Sequence, residues 1–240
     1  MDIEIRGLAK DFADCTALAG VDLAVESGER VGLVGANGAG KSTLLHILMG
    51  FLAPDRGEAR VLGVPAGDPG DGVKERIGFV PELSGLLPWA TARDLAGLYR
   101  SLYRRWDDGV YQRLVRRWEI AEYRRVRELS KGQARLAELA LCFAARPDLL
   151  LLDEPFHGLD AVMRFRVMEE MERMNRERGT TLLTSSHILH DVEKISRRVV
   201  VLREGEILLD RRVEALDGGL EKTFVRLYDL DGEEEDDDGR

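Results

Sequence analysis

The chain has 240 residues, of which 44% are hydrophobic and 33% are charged, a balance that excludes a disordered or fibrous protein. Its two cysteines, Cys15 and Cys142, are too few for a disulfide framework or a cysteine metal site, which favours a reducing cytoplasm. The first residues lack the basic and apolar regions of a secretory signal, and no apolar run approaches the roughly 20 residues that cross a bilayer. We therefore expect a cytoplasmic protein without a membrane span.

The net charge of −9 at pH 7 is concentrated at the end of the chain. Residues 229–240 hold eight acidic side chains and one arginine, so the remainder is nearly neutral. Because a block of like charges usually stays solvated, we expect the acidic stretch 233–238 to be disordered, with a docking or autoregulatory role as the alternative. The body lacks the basic field typical of nucleic-acid-binding proteins, and no nucleic-acid partner is expected.

The first third of the chain predicts strands around one helix. Apolar and polar residues alternate at 3–5 and 18–25, and the short apolar run 29–34 leads into a glycine-rich segment. Apolar residues recur at helical spacing after Ser42, and segments 57–63 and 76–80 are further predicted strands.

The middle of the chain, about 83–146, predicts helices. Thr91 and Asp94 have the spacing of a capping box, and the helix that they open is expected to run to about Arg105. Nine arginines and five acidic residues between 100 and 128 predict a solvated basic face, or a surface close to anionic lipid headgroups. The aromatic residues at helical spacing are expected to pack the core of this region: Tyr99, Tyr103 and Trp106.

The last third returns to alternating strands and helices. The fully apolar run 149–152 is typical of a buried parallel strand. A helix at 161–178, a strand at 180–185, a second helix and a hairpin turning at Glu204 and Gly205 follow. The whole pattern predicts an α/β core that carries a helical insertion.

A glycine-rich motif, GANGAGKST, follows the strand predicted at 29–34 and precedes a predicted helix. Glycines let backbone N–H groups curl around a phosphate, and a helix N-terminus adds its positive dipole end. Lys41 would contact the β- and γ-phosphates, and Ser42 would offer a hydroxyl to Mg²⁺. An ordinary glycine-rich turn is the alternative. The predicted nucleoside triphosphate site comprises Gly35, Asn37, Gly38, Ala39, Gly40, Lys41, Ser42 and Thr43.

Two carboxylates end the apolar strand at 149–152. Asp153 would lie at the carboxyl edge of the sheet, beside the phosphate loop, where it can hold Mg²⁺. Glu154 projects differently and could act as the general base for an attacking water. Two solvated acids at a strand end are the alternative, which the glycine-rich motif makes much weaker.

A third motif, LSKGQ, opens the helix predicted to run to about residue 145. Ser130 and Gln133 have capping-box spacing, and Gly132 leaves the backbone accessible, so this helix start could bind an anion. A merely well-capped helix is the alternative. The motif lies on the helical insertion, away from the phosphate loop, which suggests that it contacts phosphate on another subunit.

His187 follows the strand predicted at 180–185 and would therefore also lie at the carboxyl edge of the sheet. A donor there could reach a γ-phosphate. No cysteine accompanies His187 and His190, which argues against zinc. A histidine without a ligand role is the alternative.

These four motifs, in this order, resemble those of the ATPase subunit of ATP-binding-cassette (ABC) transporters over residues 3–210. The resemblance implies a P-loop NTPase core with a mixed sheet at 1–82 and 147–212, which includes an N-terminal antiparallel β subdomain. It implies a helical subdomain with the signature motif at 83–146 and a C-terminal extension at 213–240. It further implies that Phe12 stacks on adenine, that Asp160 communicates across a dimer, and that His187 contacts the γ-phosphate.

In that family, two such domains enclose two ATP molecules with Mg²⁺. Each ATP lies between the phosphate loop of one domain and the signature motif of the other, here Ser130, Gly132 and Gln133. The resemblance thus implies a homodimer, or a heterodimer with a second ABC ATPase subunit, on the inner face of the cell membrane. It would drive a separate integral membrane permease. A non-transport ABC protein acting on ribosomes or DNA is the alternative, and a P-loop kinase is a weaker one.

The sequence departs from the family pattern at three places. Glu82 replaces the usual glutamine that contacts Mg²⁺ and the attacking water; a carboxylate can also bind Mg²⁺, but it adds negative charge. Lys131 replaces the first glycine of the signature motif. Phe156 and His157 replace small polar residues. Packing is expected for His157, and a position facing the nucleotide or the opposite subunit is the alternative. The first two departures resemble bacterial exporters with separate permease subunits.

An apolar loop at 83–89 follows Glu82. Core packing is the default interpretation of such residues. In the family this region receives a helix of the membrane subunit, and Leu86, Leu87 and Trp89 are the expected contacts.

Overall fold

The computed structural model describes residues 1–229 and contains two β-sheets with helices packed around them. The strands are β1 (Ile3–Phe12), β2 (Cys15–Val25), β3 (Arg30–Val34), β4 (Arg56–Val61), β5 (Val64–Pro65), β6 (Ile77–Val80), β7 (Leu149–Asp153), β8 (Thr181–Ser186), β9 (Arg198–Arg203) and β10 (Glu206–Arg212). The helices are α1 (Lys41–Leu48), α2 (Asp71–Lys74), α3 (Ala92–Leu102), α4 (Asp108–Arg117), α5 (Lys131–Ala144), α6 (Ala161–Arg178), α7 (Leu189–Ile195) and α8 (Gly219–Asp229).

The larger sheet is mixed. Its strand order is β10-β9-β3-β8-β7-β6, and all neighbours pair in parallel except β10, which forms the hairpin with β9. The smaller sheet, in the order β2-β1-β4-β5, is antiparallel throughout and is built from the N-terminal part of the chain. The predicted fold class, an α/β core with a mixed sheet and an N-terminal antiparallel subdomain, is confirmed.

Strand β7 explains the run of four leucines. Leu149 and Leu151 face a core shared by α1 and the antiparallel sheet, whereas Leu150 and Leu152 face α5 and α6. All four are fully buried. A strand covered on both faces needs apolar residues at every position, because neither face meets water.

The helical insertion builds its own core from α3, α4 and α5. Tyr111, Trp118 and Phe143 are among its most deeply buried side chains. As predicted, Tyr99 and Trp106 pack against this core, and Tyr103 stacks on Tyr99 with ring centroids 5.2 Å apart.

The capping box that opens α3 is present. The Thr91 hydroxyl accepts a hydrogen bond from the Asp94 N–H, and the Asp94 carboxylate accepts one from the Thr91 N–H, each at 3.0 Å. The predicted end at Arg105 is wrong, because α3 stops at Leu102. Tyr103 is already extended, and Asp107 caps the start of α4 four residues later.

Beyond β10 the chain returns to the core through α8. Leu220 is fully buried with Val34, Val192 and Val199, so α8 packs on α7. The acidic stretch 233–238 lies outside the described residues, and its predicted disorder stays a prediction. No helix within residues 1–229 has the length and apolar character needed to cross a membrane.

Candidate functional site

The glycine-rich loop lies between β3 and α1, and two of its glycines are required by close contacts. A Cβ at Gly35 would lie 2.2 Å from the Leu202 carbonyl oxygen, and one at Gly40 would lie 2.3 Å from that of Ala17. Gly40 also has a φ of 104°, which is strained for any other residue. No side chain caps the N-terminus of α1, which leaves this end of the helix to an anion.

Lys41 extends back over this loop. Its Nζ donates hydrogen bonds to the carbonyl oxygens of Gly35 at 2.7 Å and Ala36 at 3.0 Å. Burial lowers the pKa of Lys41, while the carboxylates of Glu154, Asp153 and Glu82 act in the opposite direction. A largely desolvated ammonium therefore lies beside three carboxylates, where it can exchange carbonyl contacts for phosphate oxygens.

Asp153, which ends β7, and Glu154, which follows it, accept hydrogen bonds from the last two residues of β8. The hydroxyl of Ser185 donates to Asp153, and the hydroxyl of Ser186 donates to Glu154 Oε2 at 3.2 Å. Glu154 has a φ of 47°, so the backbone turns there and sends the adjacent side chain in another direction. Both acids are buried.

Glu154 also binds His187. Its Oε1 accepts a hydrogen bond from the His187 N–H at 2.8 Å and lies 2.8 Å from the ring Nδ1. The imidazole remains half-exposed. The predicted general base and the predicted γ-phosphate donor are thus in direct contact, although the sequence separates them by more than thirty residues.

A cavity of about 460 Å³ joins the predicted residues. It is lined by Phe12, Cys15, Ala17, Asn37, Gly38, Gly40, Lys41, Ser42, Thr43, Glu82, Asp153 and Glu154. The lining thus includes the exposed ring of Phe12 and the carboxylates of Glu82, Asp153 and Glu154. Two of the predicted phosphate-loop residues, Gly35 and Ala39, are not among the lining residues. Ala39 is buried, and Gly35 packs closely against the main chain at Leu202.

The oxygen donors of this cavity suit Mg²⁺. Ser42, Glu82 and Asp153 contribute one hydroxyl and two carboxylates to its lining. Within the described part of the chain, no group of three or more His, Cys, Asp or Glu side chains is arranged to hold a metal by itself. Mg²⁺ in proteins usually takes one or two carboxylates together with phosphate oxygens and water.

The signature motif does not line this cavity. Ser130 caps α5 by accepting a hydrogen bond from the Gln133 N–H at 3.2 Å. The predicted capping box is wrong in its second half, because the Gln133 side chain instead accepts a hydrogen bond from the Ala121 N–H at 3.2 Å. The Gln133 side chain, which the spacing assigned to the cap, therefore binds the turn that follows α4.

Gly132 has a packing role that its sequence context did not suggest. A Cβ there would lie 2.7 Å from the carbonyl oxygen of Gly158, so the start of α5 rests directly on the turn before α6. Asp160 caps α6 by accepting a hydrogen bond from the Met163 N–H at 2.9 Å, and it also lies outside the cavity lining.

The residues 156 and 157 differ from each other. Phe156 is buried in the helical core. The prediction that His157 packs inside the protein is wrong. Its side chain is exposed, because it lies on the turn between β7 and α6. In the loop at 83–89, Leu86 packs against the helical core, whereas Leu87 and Trp89 are exposed.

Sequence reasoning missed Cys15, Ser185 and Ser186. Ser185 could have been found only from the pairing register, since it lies opposite Asp153 across β7 and β8. Register between parallel strands far apart in the chain leaves no local signal.

Comparisons with known proteins agree on one family. The ABC transporter family model matches residues 18–157. The chain is similar to the ABC transporter ATP-binding protein YtrB of Bacillus subtilis, with 36% identity over 85% of this chain and 70% of the relative. It is 35% identical to the Nod factor export ATP-binding protein I of Rhizobium sp., over 89% of this chain and 72% of that protein.

A solved ATP-binding subunit of an ABC transporter has the same fold. The two superpose with a TM-score of 0.85 at 27% identity, over 95% of this chain and 100% of the solved one.

The contact of Gly132 with Gly158 is testable. We expect Gly132→Ala to lower the free energy of unfolding by about 1–3 kcal/mol, because the added methyl forces two backbone segments apart. Urea unfolding followed by circular dichroism measures this change. Gly97→Ala is the matched control, because its Cβ meets nothing within 4 Å and alanine favours the helix by roughly 0.5–1 kcal/mol. Equal stability of the two variants would contradict the packing role.

Proposed function

The chain belongs to the ABC transporter ATP-binding family, and on this premise we propose that it hydrolyses ATP as a dimer that drives a separate membrane permease. The observation that carries this proposal is the single cavity that joins Lys41, Ser42, Asp153 and Glu154, while the signature motif lies outside it. One subunit thus supplies the proposed phosphate-loop and Mg²⁺ ligands, but its own signature motif does not reach them. This suits a site that is shared between two subunits.

ATP would bind with its phosphates over the glycine-rich loop. Backbone N–H groups of the loop and of the first turn of α1 would surround the phosphates. Lys41 would add its charge to the β- and γ-phosphates. Phe12, 45% exposed, offers an open ring face for adenine. Ser130, Gly132 and Gln133 of a second cassette, identical or similar, would cover the γ-phosphate from the opposite side.

Mg²⁺ would be held by Ser42, Asp153 and Glu82 and would neutralise charge that develops on the phosphates. Glu154 is the proposed general base, because its buried carboxylate lies at the cavity edge and can accept a proton from water. His187 would donate to the γ-phosphate after moving away from Glu154. The contact between them keeps the imidazole close to its proposed place of action.

The membrane partner is proposed from the exposed loop after Glu82. Leu83, Leu87 and Trp89 are exposed apolar side chains on the segment that follows Glu82, which itself lines the cavity. A permease segment bound there would respond to changes at Glu82. We propose export as the direction, supported by the similarity to a Nod factor export ATP-binding protein. The protein would then lie at the inner face of the cell membrane.

We expect Glu154→Gln to lower ATP turnover by about 100-fold or more, because the amide cannot accept the proton. ATP binding should stay within about threefold, since the phosphate contacts remain. Phosphate release and equilibrium binding of labelled ATP measure the two effects. Glu169→Gln is the control, because Glu169 pairs with Arg117 on the surface. Normal turnover in Glu154→Gln would contradict the assignment of the base.

Cys15 reports on the position of the nucleotide. Its thiol is exposed and lines the same cavity as Phe12, whereas Cys142 is buried. We expect Mg-ATP to slow maleimide labelling of Cys15 several-fold, which intact-protein mass spectrometry measures. Cys15→Ser should abolish labelling in the folded protein. An unchanged rate with saturating Mg-ATP would contradict an adenine site beside Phe12.

The permease itself can be found by affinity purification from detergent-solubilised native membranes. We expect a stoichiometric protein with several membrane spans to accompany the chain, identified by mass spectrometry. The Trp89→Ser variant should recover less of it, because an exposed apolar contact is removed. Ribosomal or DNA-repair proteins in place of a membrane protein would favour a non-transport ABC ATPase.

A further inference from the structure

Helix α5 contains a buried ion pair one turn beyond the signature motif. The Arg135 guanidinium donates to Glu138 Oε2 at 3.1 Å, and the two residues are only 4% and 5% exposed. Burying two charges is costly, and a hydrophobic pair of similar volume would often be at least as stable. The pair therefore calls for an explanation other than stability.

Both members of the pair bind the segment that follows β6. Arg135 donates to the carbonyl oxygen of Pro81 at 2.7 Å and also to that of Glu82. Glu138 Oε1 accepts a hydrogen bond from the Gly85 N–H at 3.1 Å. The ion pair thus holds the main chain on both sides of the Glu82 side chain.

This segment has no regular secondary structure to hold it. β6 ends at Val80, and α3 does not begin until Ala92. Glu82 is exposed and lines the cavity. An exposed side chain on an irregular segment takes its direction from its backbone, and here the backbone is fixed by the guanidinium of α5. A planar guanidinium can hold two carbonyl groups and a carboxylate at once, which an ammonium cannot do with the same geometry.

The charge of Arg135 also acts on the cavity. Burial lowers the pKa of Arg135, whereas Glu138 raises it, followed by Asp153, Glu82 and Glu154. The guanidinium is therefore close enough to interact with all three carboxylates of the site, although it does not line the cavity.

We propose that Arg135, held by Glu138, is a positioning residue that fixes the main chain at Pro81 and Glu82 so that the Glu82 carboxylate faces the metal and water side of the cavity. This inference rests on the proposed function, because Glu82 acts only if Mg-ATP binds there. It adds a direct connection from the signature helix to the γ-phosphate region, carried by one side chain.

The kinetic test uses Arg135→Gln in the full-length protein. We expect kcat for ATP to fall about tenfold or more while KM changes by less than about threefold, because Phe12 and the phosphate loop are untouched. Arg113→Gln is the matched control: Arg113 pairs with buried Glu170, away from residues 81–85, and its kcat should stay within about twofold. An unchanged kcat in Arg135→Gln would overturn the proposal.

A double-mutant cycle separates positioning from other roles. In a Glu82→Ala background no side chain remains to be positioned, so Arg135→Gln should change the residual rate by less than about twofold. In a Glu82→Gln background a side chain of the same length remains to be positioned, so Arg135→Gln should still lower the residual rate about tenfold. If Arg135→Gln still lowers the rate about tenfold in the Glu82→Ala background, the proposal fails, because Arg135 then has a role independent of Glu82. Loss of the effect in both backgrounds would replace positioning with charge compensation.

A measurement that needs no ATP hydrolysis tests this inference separately from the proposed function. Amide hydrogen exchange in peptides covering 82–90 should rise several-fold in Arg135→Gln and stay unchanged in Arg113→Gln. If the unmodified protein hydrolyses no ATP, the proposed function fails, while this exchange still tests whether Arg135 holds the segment. If Arg135→Gln does not fold, Arg135→Lys replaces it in every arm, with a smaller kcat loss expected. Unchanged exchange in the folded variant would overturn the proposal.

Discussion

The parallel pairing of β7 with β8 places Asp153 opposite Ser185, so that both strands bring their polar ends to one edge of the sheet. The phosphate loop reaches the same edge because β3 is the other neighbour of β8. Lys41 therefore approaches Asp153 and Glu154 because β3 and β7 flank β8. The buried leucines of β7 pack against apolar side chains on both faces of the sheet, and this packing stabilises the strand pairing on which the site is built.

The cavity concentrates like charge and compensates it with two buried cations. Glu82, Asp153 and Glu154 meet there, and a triphosphate would add further negative charge. Lys41 faces these groups from the loop side, and Arg135 does so from the helical insertion. The two cations come from parts of the chain separated by more than ninety residues, so the electrostatic balance of the site depends on how the insertion packs against the core.

The sequence predicted the core of the site because its residues lie in contiguous motifs. Lys41 and Ser42 follow glycines, and Asp153 follows four leucines. The local pattern therefore indicated both the residue types of the site and the strand ends at which they lie. What it could not predict depends on distant contacts. The Gln133 side chain turns to Ala121, Gly132 rests on Gly158, and Arg135 reaches Pro81; none of these partners can be identified by spacing. The end of α3 was predicted wrongly for a related reason, since Tyr103 leaves this helix and Asp107 caps the next one.

Helix α8 packs close to the part of the chain that carries His187. α8 packs on α7, and α7 begins two residues after His187. The apolar cluster that joins them has four fully buried residues, far fewer than either main core. Small clusters open locally at lower free energy than large ones. The position of His187 beside Glu154 therefore depends partly on how the first turn of α8 packs on α7. If His187 acts as proposed, substitutions in α8 would change turnover without altering any residue of the cavity.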